Sequence, residues 1–321
     1  MQLIWFCCII FSMAVYTRVS NQEISIFISE HPVGSFVNAE GILQGIDNSN
    51  YKVETDLGRF VLTIFEDRVN RDDLPYYLGF MEHLADQGIL CPAPVALHTG
   101  GVISEIGGKA AALFPFLDGR GVLDTDITPA LCGELGEFLA RMHMSGQSFP
   151  KHRHNCMSFD AWELRLKKVS TPAALSYLDT LAQLRNLWPT DLPKGAVHAD
   201  LFPDNVFILD EHIHGVIDFY FSCTDFLAYD LAIVLNAWCF DPDHVLNINK
   251  AKEFLDGYQS IRALTEHEKS SFQILGQGAA LRFLSSRLHD LTFHDPNALV
   301  TPKDPAEYIK KLEFHRDCAL F

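Results

Sequence analysis

The sequence has little positive charge and lacks several familiar signatures. Only 25 Lys and Arg stand against 41 Asp and Glu, so the net charge is −16, which argues against nucleic acid or an anionic membrane as a partner. The eight cysteines include no CxxC pair and no zinc-type spacing with histidines. We therefore expect reduced, mostly buried thiols and a cytoplasmic protein.

Long hydrophobic runs are also missing, except for a short one at the N-terminus. The first 12 residues, MQLIWFCCIIFS, are apolar, but they are too few to cross a bilayer and no positive charge precedes them. A signal peptide or, less readily, a membrane anchor would explain this segment. We favour a start at Met13, which opens MAVYT, so that residues 1–12 lie outside the fold.

The chain is long enough for two lobes, each with a core. It contains 321 residues, of which 48% are hydrophobic and 21% charged, as in ordinary globular proteins. Strand patterns with interspersed helices give way to helical spacing after about residue 117. The sequence predicts an α+β protein with a sheet-rich lobe over 13–116 and a mainly helical lobe over 117–321. The strands expected in the first lobe are Tyr51–Glu54, Arg59–Phe65, Val102–Ile106 and Ala110–Phe116.

Local signals place the helices. Apolar spacing predicts a helix over 22–30 and another from Leu74 to about Gly88. Thr128–Pro129 begins a helix, and Thr265 with Glu268 forms a capping box for a later one. The run CTDFLAYDLAIVLNAWCF predicts a buried helix that starts near Asp225. Further helices are expected at about 158–169, at 174–188 and after Asp304–Pro305.

One stretch of the second lobe, Gly195–Asp218, gathers oxygen-bearing side chains around a hairpin. A short apolar strand ends at His198, and Asp200 follows in a turn. Asn205 precedes two β-rich runs, the second of which ends directly before Asp218. Carboxylate and amide oxygens suit Mg²⁺, and a carboxylate beside them can accept the proton of an attacking hydroxyl. The spacing predicts phosphoryl transfer from a nucleoside triphosphate held with Mg²⁺.

An ordinary hairpin would contain many of the same residues. His198 would then be a core histidine with satisfied hydrogen bonds, and Asp204–Asn205 would be turn residues between strands. We favour the functional interpretation because a proton acceptor and two metal-type ligands occur together. A second candidate, the turn-rich segment Gly45–Asn50, can direct backbone N–H groups at phosphates. It matches neither GxGxxG nor GxxxxGK[ST], and a plain hairpin loop is an equal alternative.

The second-lobe motif resembles that of a known family. His198, Asp200 and Asn205 form HxDxxxxN, and with Asp218 and the later DLA at 230–232 they resemble the protein-kinase-like phosphotransferases of the aminoglycoside and choline kinase branch. The runs GIDNSNYKV, GFMEHLADQGILCPAPV and VHADLFPDNVFILD are similar to the homoserine kinase family of the aminoglycoside-phosphotransferase-like type. The resemblance implies a bilobal protein-kinase-like fold with an antiparallel-sheet N-lobe. It also implies ATP-dependent phosphorylation of the L-homoserine hydroxyl, a step of threonine biosynthesis.

The resemblance implies a role for each matching residue. Asp200 becomes the catalytic base, and His198 braces the catalytic loop beside it. Asn205 and Asp218 become ligands of Mg²⁺. The residues expected to bind ATP are Asn48, Ser49 and Asn50 in the phosphate-covering loop, Thr63 and Arg68 nearby, and Phe116 and Leu117 in the connector between the lobes. Asp225 and Asp230 are expected to cap the helix after the metal loop.

The sequence departs from the wider kinase pattern on its third strand. The Lys of that strand, which in the wider family pairs with a helix Glu, is replaced by Thr63, and no carboxylate occupies the partner's position. Loss of both partners leaves no unpaired buried charge. Arg68 is then the nearest basic residue that can serve the phosphates.

An amino-acid acceptor needs a cation for its carboxylate. Arg282 and Arg287 are the candidates, with Asn236 and Trp238 as walls of the pocket. Alternatively, Arg287 pairs with Asp290 on the same helix. The expected partners are small-molecule substrates only, and the sequence carries no signal for an oligomeric state.

Two other functions stay open. One is the same chemistry on another small alcohol, such as an aminoglycoside or choline. The other is an inactive kinase-like binding protein, which the missing Lys suggests.

Overall fold

The computed structural model describes residues 17–42, 48–66, 69–294 and 301–321. The segment 1–12, predicted to lie outside the fold, is not among them. The chain divides into two compact units. The first takes in Met1–Val69, Val95–Phe114 and His294–Thr301, and the second takes in Asn70–Pro94, Pro115–Phe293 and Pro302–Phe321. The predicted α+β class is confirmed.

Within the described residues, the first unit is a five-stranded sheet with one helix. Helix α1 spans Asn21–Ser29, and the strand order is β1-β2-β3-β5-β4. The strands are β1 Phe36–Ile42, β2 Ser49–Thr55, β3 Gly58–Ile64, β4 Ser104–Ile106 and β5 Lys109–Pro115. β1 pairs antiparallel with β2, β2 with β3, and β4 with β5, which confirms the predicted strands.

Helix α1 covers one face of this sheet. Ser20 and Glu23 form a capping box, in which each side chain accepts a hydrogen bond from the other residue's backbone N–H. The helical spacing of the sequence then puts three apolar residues on one face, and all three are buried in a shared core with the sheet. These residues are Ile24, Phe27 and Ile28 from the helix, with Val53, Leu62 and Ile64 among their sheet neighbours.

The second unit consists mostly of helices. They are α2 Leu74–Asp86, α3 Pro129–Gln147, α4 Phe159–Val169, α5 Pro172–Leu187, α6 Leu227–Trp238, α7 Ile248–Ile261, α8 Glu266–Thr292 and α9 Ala306–Asp317. Two small sheets accompany them. β7 (Lys194–Val197) pairs with β10 (Cys223–Phe226), and β6 (Arg120–Gly121), β8 (Val206–Leu209) and β9 (His212–Val216) form the other in the order β6-β8-β9. None of the helices in the described ranges is long and apolar enough to span a bilayer.

Helix α2 belongs to the second unit, although the predicted boundary at residue 116 assigned it to the first lobe. The cause is aromatic packing. The ring of Phe80 lies 5.2 Å from that of Phe149 and 5.8 Å from that of Phe219, measured between centroids. Because buried aromatic side chains contribute strongly to a core, these contacts decide which unit the helix joins.

The start of the buried helix differs from the prediction. Cys223–Phe226 is strand β10, paired with β7, and helix α6 begins only at Leu227. A continuous apolar run does not distinguish a buried strand from a buried helix. The prediction that Asp225 caps this helix is wrong, because the N-cap residue is Phe226 and no side chain caps it. The Asp225 carboxylate instead accepts a hydrogen bond from Asn155 Nδ2 at 2.7 Å.

Helices α8 and α9 approach closely at one glycine. A Cβ atom on Gly276 would lie 2.4 Å from the Nδ1 atom of His315, too close for two nonbonded atoms. The imidazole is held from its other side, where His315 Nε2 donates to Asn236 Oδ1 at 2.7 Å. The ring is also 1% exposed, so it has no free space to move into.

We therefore expect Gly276→Ala to lower the free energy of unfolding by about 1–3 kcal/mol, because overpacking forces the helices apart. Urea unfolding measures the effect. Gly133→Ala in α3 is the matched control, since its Cβ would meet nothing nearer than 3.6 Å. Equal stability of the two variants would contradict the packing argument.

Candidate active site

The candidate catalytic loop leaves strand β7 at His198 and immediately bends. Ala199 has φ of 64°, in the left-handed region that non-glycine residues rarely adopt. Asp200 follows, and its carbonyl accepts a hydrogen bond from Phe202 N at 2.9 Å. A 3₁₀ turn over Pro203–Asn205 then leads into β8. The strained residue thus directs the chain, and with it Asp200, out of the small sheet.

The β8–β9 hairpin brings Asn205 and Asp218 to the same end. Val206 pairs with Val216, and Ile217 N donates to the Asn205 carbonyl at 3.0 Å. Asp218 comes next and, like Ala199, has a positive φ, of 66°. Residues that flank a paired position at one end of a hairpin are neighbours. The two oxygen-bearing residues that the sequence separates by 13 positions are therefore adjacent to the same strand pair.

His198 joins the two halves of this site. Its Nδ1 accepts from Asp200 N at 3.2 Å, and its Nε2 donates to the Ile217 carbonyl at 3.0 Å. This pattern requires the neutral ring with the proton on Nε2. Burial, as the largest influence, lowers the pKa of His198 and so favours that neutral form. The histidine thus ties the residue before Asp218 to the backbone of Asp200.

The fully buried Asp230 on α6 holds the loop from beneath. Its carboxylate accepts from His198 N at 3.1 Å, from Ala199 N at 2.8 Å and from His143 Nε2 at 3.0 Å. Burial raises the pKa of Asp230, but the hydrogen bond and charge of His143 and the loop's hydrogen bonds outweigh it, and the net pKa is lowered. The prediction that Asp230 caps a helix is therefore wrong. It lies inside α6 and braces the loop.

Arg282 on α8 completes the frame from the other side. Its Nη1 donates to the Ala199 carbonyl at 2.5 Å, and its Nη2 lies 3.6 Å from Asp200 Oδ1. The guanidinium is 3% exposed and packs 4.6 Å from the centre of the Phe283 ring. Ala199 is thus held at its N–H by an anion and at its carbonyl by a cation, which compensates for its strained backbone.

Asn205 and Asp218 offer the oxygen ligands that a hard divalent cation prefers. Asn205 Nδ2 donates to the Asp200 carbonyl at 2.9 Å, so the amide oxygen is the atom that can face a cation. In the part of the chain that the structure describes, no group of three His, Cys, Asp or Glu side chains forms a metal cluster. Because both donors are oxygens, they fit Mg²⁺, which keeps waters and phosphate oxygens as further ligands, better than zinc.

The residues predicted to bind nucleotide in the first unit have their side chains occupied by the sheet. Asn48 Oδ1 accepts from Glu66 N at 3.2 Å, and Ser49 Oγ donates to Glu66 Oε1 at 2.5 Å. Thr63 Oγ1 donates to Asn50 Oδ1 at 2.8 Å. The Glu66 carboxylate also forms an ion pair with Lys109 on β5. Phe116 and Leu117, which belong to the second unit, are half-buried. Arg68 and the first part of the turn-rich loop lie outside the described residues.

The residues predicted to bind the acceptor lie in the interior. Trp238 Nε1 donates to the Leu201 carbonyl at 2.9 Å, which supports the catalytic loop. Asn236 is fully buried between Gly276 and His315. Arg287 pairs with Glu307 on α9 and donates to the Asp304 carbonyl, rather than pairing with Asp290.

Sequence reasoning missed the bracing roles of Asp230 and Arg282. A signal was present for Asp230, because it is the one charged residue of the apolar helix LAYDLAIVLNAW. A carboxylate that a helix buries must be paired or hydrogen-bonded. Arg282 gave no comparable signal, because its partner lies 83 residues earlier in the chain.

Asp230→Asn tests the brace. The substitution places an NH₂ group opposite donors, so we expect a loss of about 2–4 kcal/mol in the free energy of unfolding, measured with urea. The exposed Asp256 on α7 provides the control, because Asp256→Asn loses only a surface ion pair with Lys252 and should change stability by less than about 0.5 kcal/mol. A similar small change for Asp230→Asn would show that the brace is unimportant.

The chain is similar in sequence to known phosphotransferases. Residues 38–264 match the model of the phosphotransferase enzyme family. A homoserine kinase of Xanthobacter autotrophicus is 47% identical over 311 residues, with 95% of this chain and 96% of the relative covered. A homoserine kinase of Rhizobium meliloti is 43% identical, with 95% of both chains covered.

Solved structures share the fold. An amicoumacin kinase in complex with AMP-PNP, Ca²⁺ and Ami aligns with a TM-score of 0.74 and 16% identity, over 94% of this chain and 95% of that one. A choline/ethanolamine kinase family protein from Mesorhizobium loti aligns with a TM-score of 0.66 and 18% identity, over 92% and 93%. The predicted protein-kinase-like fold is thereby confirmed.

Proposed function

Because the chain belongs to the homoserine kinase family of the phosphotransferase enzymes, we propose that it transfers the γ-phosphate of ATP to the side-chain hydroxyl of L-homoserine. The product is O-phospho-L-homoserine, a precursor in threonine biosynthesis. The observation that carries the proposal is the braced loop of His198, Asp200 and Asn205 beside Asp218, joined to near-complete coverage of relatives with that name.

In this proposal Asp200 is the catalytic base. Its carboxylate accepts the proton of the homoserine hydroxyl as the oxygen attacks the γ-phosphate in line. Arg282 is a positioning residue, because its hydrogen bond to the Ala199 carbonyl and its 3.6 Å approach to Asp200 Oδ1 restrict where the carboxylate can lie. His198 has a structural role, since both ring nitrogens are occupied by backbone groups.

Asn205 and Asp218 would hold Mg²⁺ through the Asn205 amide oxygen and the Asp218 carboxylate. When bound with ATP, the ion supplies positive charge to the phosphate oxygens. The contribution of the chain itself is to keep both donors at one end of the β8–β9 hairpin. The hydrogen bond between Ile217 N and the Asn205 carbonyl supports this arrangement.

ATP is proposed to use the backbone of the turn-rich loop and of the connector. The side chains of Asn48, Ser49 and Thr63 make hydrogen bonds within the sheet, so backbone N–H groups are the donors that we assign to the phosphates. Phe116 and Leu117 would contact adenine. Arg68 stays the predicted phosphate-binding cation.

We assign the enzyme to the cytoplasm. The cysteines that the structure describes are all free, and Cys132, Cys223 and Cys239 are buried. Reduced buried thiols suit a reducing compartment.

The acceptor is tested by ADP release with Mg-ATP against L-homoserine, L-serine, choline and kanamycin. We expect kcat/KM for homoserine to exceed that for each other acceptor by about 10²-fold or more, because only homoserine combines a carboxylate with a hydroxyl at the right distance. A preference for choline or kanamycin would show that the acceptor is a cationic alcohol and not homoserine. Absence of ADP release with all four would remove the proposed function.

Asp200→Asn separates binding from chemistry. We expect kcat to fall about 10²–10⁴-fold with little change in the KM for ATP, because the amide cannot accept the proton. Asp204→Asn is the control from the same loop, since the Asp204 side chain is 69% exposed and its ion pair with Lys303 spans 3.7 Å. Unchanged turnover in Asp200→Asn would exclude Asp200 as the base.

A further inference from the structure

The two arginines predicted to bind the acceptor's carboxylate already bind protein groups. Arg282 holds the Ala199 carbonyl and approaches Asp200, and Arg287 holds Glu307 and the Asp304 carbonyl. Arg287 is also stacked 4.4 Å from the centre of the Tyr308 ring. A ligand carboxylate would have to break these contacts to use either cation. The structure offers a third arginine in the same unit, Arg165 on α4.

Arg165 lacks the partners that a half-buried cation normally has. Its Nη2 contacts Met157 Sδ at 3.1 Å, and a thioether is a weak acceptor. Its Nη1 is buried without a hydrogen-bond partner. Within the described residues, no carboxylate lies within ion-pair distance of Arg165, although the charge of Asp290 acts on it from farther away. A half-buried guanidinium in this condition has a donor available for an anion.

The packing of α4 against α8 places Arg165 beside Arg282. Trp162 lies over Gly278, where a Cβ would be 3.6 Å from the indole, and Lys168 lies 5.0 Å from the centre of the Phe293 ring. Arg165 is three residues after Trp162, on the helix that packs against α8, and α8 also contains Arg282. Burial and then the positive charge of Arg282 lower the pKa of Arg165, and the charge of Asp290 opposes this only in part.

The loop before α4 is hydrogen-bonded to the segment that follows Asp218. Arg153 Nη1 donates to the Ser222 carbonyl at 3.1 Å, and Thr224 N donates to the Arg153 carbonyl at 2.8 Å. These residues follow Asp218 closely in the chain. Met157, the contact of Arg165, belongs to the same loop. Arg165 therefore contacts a loop that is hydrogen-bonded to the segment after Asp218, and its helix packs against the helix that carries Arg282.

We propose that Arg165 binds the α-carboxylate of the acceptor and thereby selects amino-acid alcohols over cationic ones. The inference rests on the proposed function and adds the subsite that recognises the substrate class. The carboxylate would supply the acceptor that Nη1 lacks. A choline or aminoglycoside acceptor would instead bring a third positive charge close to Arg165 and Arg282, which opposes binding.

The test compares Arg165→Met and Arg165→Lys with the wild-type enzyme. We expect Arg165→Met to raise the KM for L-homoserine about 10–100-fold, because a charge-assisted hydrogen bond is lost. The KM for ATP should stay within about two-fold. The KM of Arg165→Lys for L-homoserine should lie between those of the wild-type enzyme and Arg165→Met, because lysine keeps the charge but not the forked donors. Arg185→Met is the matched control, since Arg185 is exposed and pairs with Asp160 and Glu163.

A second acceptor isolates the carboxylate. 3-Amino-1-propanol is homoserine without that group, so the wild-type enzyme should prefer homoserine strongly and Arg165→Met should lose about 10–100-fold of that preference. Should Arg165→Met fail to fold, the same ratio for Arg165→Lys decides, with a drop of about three-fold or more expected. An unchanged ratio in a variant that still phosphorylates homoserine would overturn the subsite. A wild-type enzyme inactive on homoserine would instead overturn the proposed function.

Discussion

The buried carboxylate of Asp230 is the interaction on which the active-site loop depends. It accepts hydrogen bonds from two consecutive loop amides and from His143, so the free-energy cost of burying a charge is offset only when the loop adopts this shape. Ala199 is then held in a backbone conformation that it would otherwise avoid. Arg282 fixes the carbonyl on the other side of Ala199. The negative charge of Asp230 on α6 and the positive charge of Arg282 on α8 thus determine the direction of Asp200, the proposed base.

Features with a local physical cause could be predicted from the sequence. The capping box at Thr265 and Glu268 forms as expected, because its hydrogen bonds join residues three apart. The spacing of His198, Asp200 and Asn205 likewise gives a turn and hairpin whose ends meet at Asp218, since strand pairing fixes the register. The predicted strands of the first unit and the helices α1 to α3 followed from apolar periodicity for the same reason.

Features that depend on distant parts of the chain could not be predicted. The pairing of Arg287 with Glu307, rather than with Asp290, depends on how α9 packs against α8. The strand Cys223–Phe226 is distinguished from a helix only by its partner β7. The assignment of Arg282 as a substrate ligand rested on its charge, and burial against the loop gives that charge a different use. In each case tertiary contacts outweigh local preference.

His198 has a consequence for the behaviour of the enzyme in acid. The ring receives the Asp200 amide only while Nδ1 carries no proton, so protonation would set two donors against each other at the centre of the loop. Burial lowers the pKa of His198, which extends the neutral form to more acidic conditions than an exposed imidazole would tolerate. The onset of acid inactivation would therefore report the loosening of one turn, ahead of any collapse of the surrounding helices.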